Sequence, residues 1–391
     1  MLLKNASGQE LNKKIVASYR LQVDYKLLTT CNLTTCNFKM INKTTLHMPN
    51  KTLRAIGLMS GTSLDGIDAA IIESNGEVVK ATGESISLEY SPKLRSDIKQ
   101  LIDGKENAAE VERELTKEHA KAVNLLIEKS GLARGDIDLI GFHGQTIFHD
   151  PKNGKTVQIG DGQLLADSVG IRVINDFRSN DVANGGEGAP LAPLYHAALT
   201  KNEQLPIAII NIGGVGNVTW VGEGENNIIA FDTGPGNAMI DDWVFKHSGK
   251  THDTNGDLAR SGKVDQDILA RLMDNPYFAK LPPKSLDRND FNTDLVNSLN
   301  IEDGAATLAA FTIRSIAVSL EHLPCPAHKY YITGGGRHNS YIMQGLSAAI
   351  NAPVLPVEEL GTNGDMLEAE AFGFLAIRSF YGLPISLPST T

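Results

Sequence analysis

Gly57-Leu-Met-Ser-Gly-Thr-Ser-Leu-Asp-Gly-Ile-Asp68 is the stretch on which the fold turns. Ala-Ile-Gly-Leu-Met precedes its Gly/Ser/Thr/Asp turn and Ile67–Ile72 continues it, so the segment reads as strand, tight turn, strand. Glycine reaches positive φ, and a backbone so bent makes a concave nest whose N–H groups face phosphate oxygens. An ordinary hairpin turn needs only two or three such residues, and this one spends far more. Gly61, Thr62, Ser63, Leu64, Asp65, Gly66, Ile67 and Asp68 are the expected phosphate contacts, with Asp65 or Asp68 facing a hydrated Mg²⁺.

Outward from the hairpin, a third strand is expected over Val78–Tyr90, helices over Pro92–Lys129, and strands over Asp138–Phe148 and Ile171–Asp176. After Pro206 the order repeats: Ile207–Ile212, the turn Gly213-Gly214-Val215-Gly216-Asn217, Val218–Val221, Ile228–Phe231, then helical material and a late strand, Lys329–Thr333. Leu367, Ala371, Phe374 and Leu375 mark a helix over Met366–Phe380. Two glycine-turned hairpins opening two similar halves predict a duplicated α/β unit. The expected fold is the actin-like (ribonuclease H-like) two-domain kinase fold with an interdomain cleft. Its expected domains are 51–205 and 206–391, and residues 1–50 form an N-terminal extension rich in Asn, Thr and Lys that precedes a functional start near Met40 or Met48.

Other phosphate motifs fail on spacing. Gly154-Lys155-Thr156 and Gly249-Lys250-Thr251 lack the earlier glycine of a P-loop, and Gly256–Lys263 spaces its glycines one residue too far apart. The actin-like arrangement remains: a first phosphate hairpin, a second at Asn211, Gly213, Gly214, Gly216 and Asn217, and an adenosine turn at Gly334, Gly335 and Gly336.

Composition narrows the partners. The chain of 391 residues carries a formal charge of −10; its first 50 residues contribute +5, leaving −15 on the rest. So acidic a body lacks the basic stripe that nucleic acid demands, which points to a small ligand. No apolar run reaches the roughly 18 residues of a membrane span, and three cysteines cannot staple a secreted domain, so a cytoplasmic protein is expected.

The motifs Gly57–Asp68, His143-Gly144-Gln145-Thr146, Asn175–Asp181, Gly188–Pro193, Asn211–Asn217, Phe231–Asn237, Gly334–Asn339 and Glu368–Phe372 together resemble the anhydro-N-acetylmuramic acid kinase family, from about residue 54 to 385. The resemblance implies ATP and Mg²⁺ as reactants, a homodimer, and a role in peptidoglycan recycling. It also implies a reaction in which water opens the 1,6-anhydro ring of 1,6-anhydro-N-acetylmuramic acid while the γ-phosphoryl group passes to O6. Asp181 matches the family's base; it follows a short strand and precedes Ala183-Asn184-Gly185-Gly186, so it is expected to project from a strand end into the cleft, with Asp176 its nearest rival. Glu368 matches a carboxylate at the sugar site, on the border of the helix's buried stripe. His143 and Gln145 are expected to donate to sugar or phosphate, and Asp232, Gly234 and Gly236 to meet sugar or metal. The alternatives are an actin-like kinase for a hexose or carboxylate, and a non-catalytic ATP-binding regulator.

Overall fold

The computed structural model describes residues 51–61, 63–104, 107–224, 227–286, 290–291 and 293–391. The expected extension over residues 1–50, and Thr62, lie outside the described residues. The first half contains β1 (Leu53–Ser60), β2 (Gly66–Ser74), β3 (Val79–Glu89), helices α1 (Pro92–Ile102) and α2 (Ala108–Ser130), β4 (Leu139–Asp150), β5 (Lys155–Ile159) and β6 (Val173–Asn175). The second contains β7 (Ile207–Ile212), β8 (Val215–Val221), β9 (Ile228–Pro235), β10 (Tyr330–Thr333) and β11 (Val354–Pro356).

The two sheets share one plan. In the first, β1 runs antiparallel to β2 and parallel to β4, and β2 pairs antiparallel with β3; β4 pairs β6 in parallel along its first half and β5 along its second. In the second, β7 runs antiparallel to β8 and parallel to β10, β8 pairs antiparallel with β9, and β10 pairs β11 in parallel. The orders β3-β2-β1-β4-β6 and β9-β8-β7-β10-β11 are therefore equivalent, the duplicated ribonuclease H-like arrangement that the repeated hairpins foretold.

Both faces of each central strand are covered, which is why β1 and β7 read as nearly unbroken apolar runs. Side chains alternate across a strand. Ile56 and Leu58 face a core closed by α1 and α2, where Ile98, Leu115 and Leu126 are buried. Leu53 and Ala55 face the opposite core with Leu139. In the second half Ile210 and Ile212 meet Trp220, Trp243 and Phe311, while Ile207 and Ile209 meet Tyr331.

One helix crosses the expected boundary. The last helix, Leu367–Phe380, was assigned with residues 206–391, yet it packs on β1, β2 and β4 of the first sheet, burying Leu367, Ala371, Phe374 and Leu375 against Leu53, Ala55 and Ile72. Gly57 and Gly141, paired across β1 and β4, share the strand parity of that face and present no side chain to it. The helix backbone consequently lies directly on the sheet. No helix among the described residues is long and apolar enough to cross a membrane.

Candidate active site

Between the halves lies an open cleft of about 960 Å³. Glycine turns from both sheets line it: Gly61 and Ser63 after β1, Gly213 and Gly214 after β7, and Gly334 and Gly335 after β10. Local bonds shape each turn. Leu64 adopts φ 56°, its N–H bonds Gly61 O at 3.2 Å, and Gln145 Nε2 donates to Gly61 O at 3.0 Å. Ser60 Oγ reaches Gly144 O at 3.0 Å, fastening the end of β1 to β4. In the second half, Asn237 N–H donates to Gly213 O at 2.7 Å and its Nδ2 to Ile212 O at 2.9 Å. The third turn is clamped by Arg337, a buried side chain that donates to Gly334 O at 3.0 Å and pairs with Glu358 and Asp365, each at 2.8 Å. Asp365 and Glu368 line the same cleft, so this clamp joins the third turn to its carboxylate wall.

The expected residues divide by direction. Ser63, Asp68, Asn211, Gly213, Gly214, Asn217, Gly334, Gly335, Asp232, Glu368 and His143 line the cleft beside Gly61. Leu64 and Ile67 instead point into the first core, and Gly66 lies against Glu89 of β3. Asp65 closes its own turn, accepting from Ser63 Oγ at 2.7 Å and Gly66 N–H at 3.0 Å. Gly216, Gly234, Gly236 and Gly336 face Thr233, Ser315, Gly213 and Ile212, close neighbours that leave no room for a side chain. Gln145 is buried with its nitrogen committed to Gly61 and Thr146.

His143 departs from its expected role as donor. Its Nδ1 lies 2.7 Å from Gly144 O and its Nε2 2.9 Å from Arg178 Nε, so neither ring nitrogen has a hydrogen left for sugar or phosphate. Burial, helped by the Arg178 charge, pushes its pKa well below the ordinary value and keeps the ring neutral. Asp181 neither projects from a strand end nor lines the cleft: it sits beside it, on the short helix Ser179–Ala183. Its Oδ2 accepts from Gly188 N–H at 2.8 Å, and its Oδ1 from Ser386 Oγ at 2.5 Å and Thr391 Oγ1 at 2.9 Å.

Three carboxylates give the cleft its electrostatic character. Burial raises Asp232 to about 7, against the pull of the Leu286 N–H that donates to its Oδ2 at 2.8 Å. Glu368 is exposed to the cleft, yet the protein around it raises its pKa by desolvation; the Arg178 charge opposes the rise and Asp68 adds to it. Asp68 is raised for the same first reason, with Ser87 Oγ donating to its Oδ1 at 2.6 Å. Sequence reading passed over Arg178, Glu187 and Asp365, which also line the cleft. Arg178 stood inside the Asn175–Asp181 motif, a lone cation among polar residues, while nothing near Asp365 marked it.

A duplicated α/β fold that turns glycine hairpins from both halves toward one carboxylate-walled cleft is that of the actin-like kinases. Within that class, the family model described as anhydro-N-acetylmuramic acid kinase matches residues 53–391, and the chain belongs to that family. It is 47% identical over 340 residues to the anhydro-N-acetylmuramic acid kinase of Paramagnetospirillum magneticum, covering 86% of this chain and 96% of that one. To the enzyme of the same name from Gluconobacter oxydans it is 49% identical over 352 residues, covering 86% and 96%. Among solved structures it is similar to gluconate kinase from Lactobacillus acidophilus, with a TM-score of 0.45 and 11% identity over 85% of this chain and 90% of that one. The ROK hexokinase from Thermus thermophilus gives 0.37 and 15% over 83% and 100%. Likenesses that distant say nothing of chemistry.

Proposed function

We propose that this protein phosphorylates 1,6-anhydro-N-acetylmuramic acid at O6 with ATP while water opens the anhydro ring, yielding N-acetylmuramic acid 6-phosphate and ADP. In this reaction the water oxygen bonds the anomeric carbon, the bond from that carbon to O6 breaks, and O6 takes the γ-phosphoryl group. The water's surplus proton goes to a base. The convergence of three glycine turns on one cleft that Asp68 and Glu368 also line carries the reading.

Phosphoryl transfer asks chiefly for positioning and for neutralising charge on the phosphoryl oxygens. The turns at Gly61, Gly213–Gly214 and Gly334–Gly335 border the cleft where phosphate would lie, and the left-handed backbone expected of the glycines falls at Leu64 and Gly334 rather than at Gly61. Mg²⁺ suits the donor set, because Asp68 spends Oδ1 on Ser87 and Asp365 stands near it. When bound, the ion would neutralise phosphate charge, with Asp68 and Asp365 as its protein partners, directly or through water.

Asp181 is the base in this reading. Gly188 holds one carboxylate oxygen, and the Ser386 and Thr391 hydroxyls cover the other. Those hydroxyls must yield before a water can take their place, a rearrangement suited to substrate-driven closure. Glu368 would orient a sugar hydroxyl or that water. The test is incubation with ATP, Mg²⁺ and 1,6-anhydro-N-acetylmuramic acid in oxygen-18 water. The expected product carries one label at the anomeric carbon and a phosphate at O6; a phosphorylated product without label refutes the ring-opening role.

A further inference from the structure

An unbroken line of hydrogen bonds runs from β4 to Asp181, and Arg178 stands at its centre. Gly144 O can only accept, so His143 Nδ1 carries the hydrogen and Nε2 is left as an acceptor. Arg178 Nε donates to that Nε2 at 2.9 Å, and Arg178 Nη1 donates to Gly188 O at 2.5 Å. The Gly188 N–H then donates to Asp181 Oδ2 at 2.8 Å. Gly188 is thus held at its carbonyl by Arg178 and holds the carboxylate with its amide.

The loop fits closely around that carboxylate. A Cβ on Gly186 would lie 2.7 Å from the Asp181 carboxyl carbon, and one on Gly188, at φ 68°, would lie 2.6 Å from Val182 Cγ2. The site of Asp181 is consequently fixed by where the Gly188 peptides sit. We propose that Arg178 is the positioning residue of Asp181, anchoring Oδ2 through Gly188 so that Oδ1, under the exchangeable hydroxyls of Ser386 and Thr391, is the oxygen that takes the proton. The inference rests on the reading of Asp181 as the base.

The residue types suit the task. Guanidinium points Nε and Nη1 along two fixed directions, as simultaneous bonds to His143 and Gly188 require; a lysine ammonium is a single point on a flexible stem. Burial draws Arg178 down to about 10, with the Glu368 and Asp181 charges holding it up, so it stays cationic at neutral pH. His143, pushed toward neutrality by burial, remains an acceptor. Phe372 packs against its ring at 4.5 Å and fixes the orientation.

The experiment uses the full chain with ATP, Mg²⁺ and the anhydro sugar, and compares Arg178→Ala, Arg178→Lys, Asp181→Asn and the two double variants that join each Arg178 substitution to Asp181→Asn. Misplacing a reacting group by about 1 Å costs on the order of 10²-fold, so Arg178→Ala should lose roughly that much kcat. Its KM for ATP should stay within about threefold, because the nucleotide turns are untouched. Added guanidinium should restore at least about tenfold, which a purely structural defect would not allow, whereas Arg178→Lys should stay slow. In the Asp181→Asn background, Arg178→Ala should cost less than about threefold more. If its full penalty persists there, or guanidinium restores nothing, the positioning role is overturned while the base assignment stands. If Asp181→Asn alone turns over normally, both fall together. Should Arg178→Ala fail to fold, Arg178→Lys decides the matter: full activity overturns the inference, and a loss in kcat alone that vanishes in the Asp181→Asn background upholds it.

Discussion

Gly57→Ala isolates how the last helix, α3 in the series that α1 and α2 begin, reaches the cleft. A Cβ at position 57 would stand 2.5 Å from Gly373 N and 2.8 Å from the Ala369 carbonyl carbon. The Ala369 carbonyl oxygen would be nearer still, and carbon atoms ordinarily approach no nearer than about 3.5 Å, so α3 (Leu367–Phe380) must withdraw by at least about 1 Å. A gap of that size forfeits a quarter to a half of the dispersion energy along the seam where Leu367, Ala371 and Phe374 meet Leu53 and Ala55. Overfilling a core costs about 1–3 kcal/mol, and the obstacles here are backbone atoms that cannot swing aside, which puts the cost near 3. Restricting the unfolded chain returns about 0.4–1, for a net loss of about 2 kcal/mol. Glu368 adjoins Ala369 and moves with it, so kcat should fall by roughly 10²-fold if the carboxylate acts at the sugar. Urea unfolding followed by circular dichroism, with steady-state kinetics, measures both. Gly61→Ala is the control, since its Cβ would meet only Ser63 Oγ, at 3.5 Å. A Gly57→Ala protein with the control's unfolding midpoint and unchanged kcat would refute the close approach of helix and sheet.

Gly61→Val should leave stability within about 0.5 kcal/mol while raising the KM for ATP at least about tenfold, because its branched side chain has only the cleft to fill; titration calorimetry with ATP checks this. Asp232 is raised from 3.8 to about 7 by burial, so the folded state holds its proton more tightly and stability declines as pH rises from about 4 through 7. Asp232→Asn should flatten that decline and gain about 1–2 kcal/mol at pH 8, well under the ceiling of about 4 that the full shift allows because cleft water relieves part of the cost; thermal melts at pH 5 and pH 8 that decline identically in both proteins would sink the assignment. Arg337→Ala releases Gly334, Glu358 and Asp365 together and should weaken ATP binding about tenfold at a stability cost of about 1–2 kcal/mol, read by calorimetry and urea unfolding.

Much of the strand plan was legible because glycine-turned hairpins have strong local signatures. Ile56, Ile71 and Ile210 fall in the strands that the hairpin reading gave them, and the second hairpin announced the duplication. The destination of α3 was not legible. Leu367, Ala371 and Phe374 mark one face for burial, but no stripe names the sheet that receives it. The glycines misled for a related reason: Gly57 looked like part of a phosphate nest, yet its missing side chain admits a helix. Within the site, the polar turn residues were conspicuous, but whether Asp65 turned inward or outward depended on Ser63 and Gly66 at close range. Arg178 was invisible as a positioning residue because its partners, His143 and Gly188, lie 35 and 10 residues away.

The return of α3 to the first sheet also sets a timetable for biosynthesis. Strands β1, β2 and β4 leave the ribosome by residue 150, but the helix that covers one of their faces ends at Phe380. At about 5–20 residues per second, that apolar face waits on the order of 10–50 seconds for its cover, while the second sheet can close around residues already made. The amino-terminal half begins first and finishes last. Nascent chains halted before residue 367 should accordingly show a protease-resistant second half and a cleavable first one, the reverse of the usual order in which domains mature.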